Sequence, residues 1–232
     1  MTGVERAFVW LGGALFVVSL ACCAYCYVAV WSRPPAGPGA AIWTAALANT
    51  ALFGLFAGHH SLFARERVKA AVARVVPDRL LTSVFVWIAS TLFIVACISW
   101  VRTGRDVYDL HGWIAAVFTA AQVSGVLLTA AGVRRLDPLE LAGIRRRERS
   151  DGPAVQTTGP YGVVRHPLYL GWLLMTFGAA HMTVDRLAFA VISSGYLLIA
   201  IPWEEASLER DLGPDYAAYK KKVRWRVIPY VY

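Results

Sequence analysis

Between Phe8 and Trp31 the chain runs for 24 residues without a charged side chain. Wound as an α-helix at 1.5 Å per residue, that run spans roughly 36 Å, enough to cross the hydrocarbon core of a bilayer. Three more long runs follow: Ala40 to Ala64, with polar interruptions at Asn49, His59 and His60, then Leu80 to Trp100 and Leu110 to Val133. Two shorter runs, Leu168 to Met182 and Leu187 to Trp203, flank the turn Thr183-Val184-Asp185-Arg186. They read as a helical hairpin that turns back near the far surface. A soluble core in 232 residues could not hide this much apolar surface. Charged residues make up only 16% of the chain, against roughly 25% in soluble domains. The first run is too long for a secretory signal, and no small-residue cleavage site follows it. The expected fold is an all-α, polytopic integral membrane helical bundle: four long transmembrane helices plus a C-terminal helical hairpin.

The basic residues orient this bundle. With the N-terminus inside, 19 of the 23 lysines and arginines fall on the cytoplasmic side, leaving Arg33, Arg102, Arg105 and Arg186 outside. By the positive-inside rule, both termini and the internal loop are cytoplasmic. The net charge of +8 then describes a basic face beside anionic lipid heads, with no nucleic acid required. The tail from Tyr219 to Tyr230 mixes lysines and arginines with aromatics and reads as pinned along the inner leaflet; capping the site described next is its second possible role. Cys22, Cys23, Cys26 and Cys97 all lie inside predicted spans, where a free cysteine packs as a small hydrophobe. The Cys23-x-x-Cys26 spacing lacks the second ligand pair a zinc site needs, so no metal is expected.

The character of the chain changes after Val133. Residues 1–133 read as a four-helix transmembrane region, whereas 134–232 hold most of the polar chemistry. Asp137-Pro138 starts a short amphipathic stretch through Arg149, which Ser150-Asp151-Gly152-Pro153 breaks. Two segments then flank the hairpin. In the first, Gly159-Pro160 forces a turn and Pro167 begins a helix, where its missing N–H costs nothing. That holds Arg165 and His166 at a helix N-terminus near the membrane surface, a place suited to an anionic or polar group. The second is Pro202-Trp203-Glu204-Glu205, at the cytoplasmic end of the returning helix. Ionisable residues at this depth are costly and point to function by default. The hairpin should bring the cationic and acidic pairs together. An arginine beside a glutamate at a helix end is also what a plain interfacial ion pair looks like.

The order Gly159-Pro160-Tyr161, Arg165-His166-Pro167-Leu168-Tyr169-Leu170-Gly171, Glu204-Glu205-Ala206-Ser207-Leu208, Leu212-Gly213-x-x-Tyr216-x-x-Tyr219 and Ile228-Pro229 resembles the isoprenylcysteine carboxyl methyltransferase superfamily. The match covers roughly the last 80 residues closely. Gly58-His59-His60-Ser61-Leu62-Phe63-Ala64-Arg65, with Lys69 and Pro77 following, looks like the methanethiol S-methyltransferase and NnrU branch. The resemblance implies an S-adenosylmethionine-dependent methyltransferase of a bacterial inner membrane, its site facing the cytoplasm. Carried onto this chain, the cofactor pocket uses Tyr161, Val164, Arg165, His166, Pro167, Tyr169 and Gly171, closed by Glu204, Glu205, Tyr216 and Tyr219. Arg165, His166, Glu204 and Glu205 are the catalytic candidates. Replacing Glu205 or His166 by alanine is expected to abolish methyl transfer without unfolding the protein. The chain has no glycine-rich strand-to-helix fingerprint of the Rossmann type, so a nucleoside cofactor would bind by another architecture.

Methyl transfer from a sulfonium is mostly a matter of positioning. The carboxylates suit the sulfonium or the cofactor hydroxyls; the cations suit its carboxylate or an incipient thiolate. One departure bears on the acceptor. Prenylcysteine-type members carry an arginine a little upstream of the paired glutamates, but Ser194 to Trp203 contains no cation. That favours a small or lipophilic thiol over a carboxylate acceptor, with membrane lipids as the other partner. Prenylcysteine carboxyl or phospholipid amine methylation remains the alternative, as does a non-enzymatic NnrU-like protein in which His59 and His60 ligate haem. The paired histidines read otherwise as helix packing or substrate lining, and His111 and His181 as interfacial. In the methanethiol branch a glutamine stands where this chain has His59, and Pro202 is expected to interrupt the helix just before Glu204.

Overall fold

The computed structural model describes residues 1–63, 65–145 and 155–232, with only the backbone of Glu66. Arg146, Arg147 and Arg149 and the break at 150–153 lie outside the described residues. Chain order is α1 (Gly3–Tyr25), a π-helical turn (Cys26–Val30), α2 (Ile42–Phe63), α3 (Glu66–Val72) and a 3₁₀ turn (Asp78–Leu80) leading into α4 (Leu81–Ile98). Then come β1 (Asp106–Asp109), α5 (Gly112–Val133), α6 (Pro138–Leu141) and a 3₁₀ turn (Gly159–Gly162), followed by α7 (Pro167–Phe177), β2 (His181–Thr183), α8 (Val184–Leu212) and α9 (Pro214–Lys222). Among the described residues, four helices are long and apolar enough to cross a membrane: Gly3–Val30, Asp78–Ile98, Gly112–Val133 and Val184–Leu212. The fold is that of a helical integral membrane protein. Helix α2 has 22 residues but carries the polar Asn49, His59 and His60, and α7 is a short apolar helix of 11.

The chain forms two compact units. The first comprises Met1–Val107, Pro138–Arg147 and Thr183–Phe189; the second comprises Tyr108–Asp137, Glu148–Met182 and Ala190–Tyr232. Helix α5, which ends at residue 133, thus groups with the C-terminal segments.

In the first unit, Thr2 and Glu5 form a capping box that satisfies the first free amides of α1. Gly12 lets α1 approach α4: a Cβ there would lie 2.8 Å from Trp87 Nε1, which donates to the Phe8 carbonyl at 3.0 Å. The polar interruption at Asn49 has a structural reason. Its side-chain amide pairs with Val101 in both directions, at 2.9 and 2.8 Å, so both the nitrogen and the oxygen of a buried amide have a partner. His59 stacks on Phe85, with centroids 5.4 Å apart, and lies against Phe63. His60 lies against Phe56 and Phe85. This is packing geometry, and neither ring nitrogen of His59 has a hydrogen-bond partner among the described residues.

The turn predicted at 183–186 is not an exposed loop. Thr183 ends β2, Val184 begins α8 directly, and Thr183, Asp185 and Arg186 are buried. Asp185 accepts from Thr103 N and Oγ1 at 2.8 and 3.0 Å. Arg186 donates to the carbonyls of Tyr27 and Val28 at 2.8 and 3.0 Å, at the π-helical turn, where widened i→i+5 bonding displaces carbonyls from the regular ladder. Burial of this polar set forces its hydrogen bonds inward, which replaces a surface turn. The amphipathic stretch expected after Asp137 begins with a helix, and its last residues, 146–149, lie outside the described residues. Helix α6 covers only four residues, and Gly143, with φ of 69°, turns the chain so that its carbonyl accepts from Ser83 Oγ at 2.8 Å.

In the second unit, α5 and α7 meet along a seam of small residues, as membrane helices do when backbones must approach closely. A Cβ on Gly125 would lie 2.6 Å from the Gly171 carbonyl oxygen, and one on Gly171 would collide with Thr129 Oγ1 and come within 2.9 Å of the Gly125 carbonyl oxygen. Gly171→Ala should therefore lower stability by about 1–3 kcal/mol through overpacking, read as a fall in detergent melting temperature. Trp172 Nε1 donates to Ser193 Oγ at 2.9 Å and ties α7 to α8. Helix α8 itself corrects an expectation: it passes through Pro202 without interruption and extends 29 residues to Leu212. Proline removes one backbone donor, and helices at membrane depth tolerate that loss where neighbours satisfy the freed carbonyl.

Candidate active site

The first segment is shaped locally by its turn residues. Gly159, with φ of 61°, opens the 3₁₀ turn, Pro160 occupies its second position, and Pro167 starts α7. His166 is the N-cap of α7 but makes no side-chain capping bond, so its ring is available elsewhere. The backbone of this segment is held by the tail, Arg165 N donating to the Trp225 carbonyl at 2.9 Å and His166 N to the Arg226 carbonyl at 2.8 Å.

Arg165 and Glu205 are buried face to face. Arg165 Nε donates to Glu205 Oε1 at 2.7 Å, and Nη1 donates to the carbonyls of Val223 and Arg224, each at 2.8 Å. His166 Nε2 lies 3.2 Å from the same Oε1. The other oxygen, Oε2, accepts from Arg226 Nε at 3.3 Å and lies 3.9 Å from Lys220 Nζ. Taking a carboxylate and a guanidinium out of water costs several kcal/mol each, and only such a filled set of hydrogen bonds offsets it.

Glu204 is differently placed. Its side chain is 42% exposed, against 3% for Glu205. Its Oε2 accepts from Tyr169 Oη at 2.5 Å and lies 3.7 Å from His166 Nδ1. The His166 and Tyr169 rings stack with centroids 5.2 Å apart. One imidazole therefore touches both carboxylates, the buried one through Nε2 and the open one through Nδ1.

The remaining candidates divide by what they touch. Tyr216 and Tyr219 pack with Val223 in a buried cluster edged by Val155, Leu208 and Leu212. Burial raises both phenols, Tyr219 to about 12, so Tyr219 keeps its proton at neutral pH and donates to the Tyr161 carbonyl at 2.7 Å. Val164 and Pro167 are buried packing residues, and Gly171 sits in the α5–α7 seam. Tyr161 supplies a backbone acceptor and a partly buried phenol that burial, then Glu204, raises. The sequence reading omitted Arg226, Lys220 and the carbonyls of residues 223–226, all of which meet Arg165, His166 or Glu205. Their signal was the basic tail just after Tyr219, which was read chiefly as a membrane contact.

No protein-family model and no solved structure matches the chain. Among named proteins, it is 30% identical over 185 residues to methanethiol S-methyltransferase 2 of Bradyrhizobium diazoefficiens, covering 77% of this chain and 71% of that one. It is 31% identical over 194 residues to the methanethiol S-methyltransferase of Pseudomonas deceptionensis, covering 81% and 74%. A protein-S-isoprenylcysteine O-methyltransferase B of Arabidopsis thaliana matches at 30% over 118 residues, covering 49% and 58%. The chain belongs to the isoprenylcysteine carboxyl methyltransferase superfamily. Like its named relatives in that superfamily, it is a methyltransferase, and its apolar helices make it a membrane enzyme. The methanethiol-type members match it over about four fifths of its length, the isoprenylcysteine-type members over half or less. A methyltransferase of this superfamily requires a methyl donor and an acceptor, and its membrane helices contact lipid.

Proposed function

We propose that this enzyme methylates a small or lipophilic thiol with S-adenosylmethionine, at the cytoplasmic face of a bacterial inner membrane, using residues 134–232 as its catalytic region. The observation that carries this reading is the unequal placement of two adjacent glutamates around one histidine. The donor set suits the cofactor: a half-exposed carboxylate, a phenol and an imidazole at one surface, backed by a neutralised buried pair. Glu204, Tyr169, His166 and Tyr161 would hold it, with Val164, Pro167 and Gly171 shaping the wall and Tyr216 and Tyr219 closing it. S-adenosylmethionine supplies an electrophilic methyl carbon on a sulfonium. Glu204 places negative charge where a sulfonium is attracted, and Tyr169 Oη fixes that carboxylate. Because an ionised Glu205 only accepts hydrogen bonds, His166 Nε2 carries a proton toward it. This leaves Nδ1 to take the proton of an acceptor thiol, and the imidazolium so formed lies between two carboxylates. Arg165 and Glu205 are positioning residues that anchor His166 and the tail.

Two observations support a thiol acceptor. No cation occurs between Ser194 and Trp203 on α8 to receive a substrate carboxylate, and the relatives that match over most of the chain are named methanethiol S-methyltransferases. The bias of 19 of 23 basic residues supports the cytoplasmic orientation. The test is transfer of label from methyl-tritiated S-adenosylmethionine by the nanodisc-embedded enzyme. Methanethiol and longer alkyl thiols, a prenylcysteine analogue and phosphatidylethanolamine are offered separately. Label is expected in the thioether. Label in the prenylcysteine ester or the lipid amine rejects the thiol acceptor, and no binding of S-adenosylmethionine rejects the reading.

A further inference from the structure

The tail strand that holds Arg165 and His166 has a second face. Val223 is buried, but Lys222 and Arg224 on either side of it are exposed, and neither has an acidic partner among the described residues. With Gly162, Val163, Trp225 and Tyr230 they line a cavity of about 330 Å³. The Trp225 and Tyr230 rings meet at 5.3 Å. Exposed hydrophobic side chains stand among these polar groups: Val163 is 57% exposed and Tyr230 85%. Exposed aliphatic and aromatic groups beside unpaired cations are the composition of a membrane–water boundary, where tryptophan and tyrosine sit at headgroup level and basic side chains meet anionic lipid. The depth agrees. Val163 lies just ahead of Pro167, where the apolar α7 begins, so the cavity opens at the level where that helix enters the bilayer. Its volume exceeds what a lone ion needs and suits a glycerophosphate headgroup.

We infer that this cavity binds the phosphate headgroup of an anionic membrane lipid, and that the bound lipid clamps the tail over the catalytic groups. Lys222 and Arg224 pair with the phosphodiester, Trp225 and Tyr230 flank the glycerol, and the acyl chains follow Val163 and α7 into the membrane. The clamp acts through the backbone. The carbonyls of Val223 and Arg224 accept from Arg165, and those of Trp225 and Arg226 accept from the amides of Arg165 and His166. Fixing residues 222–225 therefore fixes the guanidinium that orients Glu205. The binding half stands by itself; the clamp half rests on the reading that Arg165 and Glu205 position His166.

The experiment compares wild type with a Lys222→Gln/Arg224→Gln double variant, which spares every backbone carbonyl. In nanodiscs containing either brominated phosphatidylglycerol or brominated phosphatidylcholine, quenching of Trp225 is taken as the difference from Trp225→Phe. Wild type should be quenched preferentially by the phosphatidylglycerol probe, and the double variant should bind it roughly tenfold more weakly. Wild-type methyl transfer should rise with phosphatidylglycerol content while the double variant stays flat. Glycerol 3-phosphate at matched concentration should not compete; if it does, a soluble anion is the ligand and the lipid proposal fails. Equal quenching by both lipids, or unchanged binding in the double variant, overturns the site. Loss of S-adenosylmethionine affinity in the double variant, measured by calorimetry, would assign the cavity to the methyl donor instead. The quenching readout needs no activity, so failure of the methyl-transfer reading leaves the lipid result separately legible.

Discussion

Glu205→Ala should melt far below wild type in detergent, losing about 3–5 kcal/mol, because removing one partner of a buried ion pair strands the other. Arg165 would keep its bonds to the Val223 and Arg224 carbonyls but face an empty site where its counter-charge stood. Arg226 and His166 would lose the same acceptor. The tail should loosen with them, and methyl transfer should fall together with stability. From sequence this substitution reads as a clean catalytic knockout that leaves the fold intact; the burial of Glu205 changes that expectation. Glu205→Gln separates the two effects, since it keeps the shape and one acceptor oxygen while deleting the charge. An unchanged melting temperature in Glu205→Ala, with S-adenosylmethionine affinity lost, would show that Glu205 faces the ligand and does not anchor the site.

Glu204→Gln should do the opposite. Its side chain is half-exposed and its hydrogen bond from Tyr169 Oη can be remade by the amide oxygen, so the melting temperature should hold. What disappears is the negative charge beside His166. A charged group aimed at the reacting centre is worth on the order of 10²- to 10³-fold in rate, and kcat/KM should drop by that amount. Measured kcat/KM within threefold of wild type would remove Glu204 from the site and with it the division of roles between the two glutamates. Run side by side, the two substitutions form a contrast: adjacent residues of the same type, one failing by stability and the other by turnover.

The helical membrane fold is legible in the sequence because its cause is local. A run of 24 uncharged residues has no soluble solution, and backbone groups at membrane depth must be satisfied within the helix itself. The order of short motifs likewise reads from the chain, since Gly-Pro turns, an N1 proline and paired acids carry their meaning in spacing. The run of residues 183–186 reads differently in the structure because its polar groups are matched by Thr103, Tyr27 and Val28, all distant in the chain. Nothing in the local pattern announces those partners. The same holds for Asn49, whose partner Val101 lies 52 residues away.

Sequence alone thus determined that this chain is a helical membrane protein and which polar residues gather near one end of the hairpin; it also marked Ala40 to Ala64 as a span, whereas the helices long and apolar enough to cross among the described residues are Gly3–Val30, Asp78–Ile98, Gly112–Val133 and Val184–Leu212. Only the tertiary structure decided that Glu204 and Glu205 have opposite environments. Neighbouring residues on a helix point about 100° apart, so one faces the Arg165 anchor and the other faces out. It also decided that the basic tail, whose charge alone pointed to lipid, presents its backbone carbonyls as acceptors to Arg165 and His166. Hydrogen bonds between remote segments depend on where the chain returns, and no periodicity in the residues records that return.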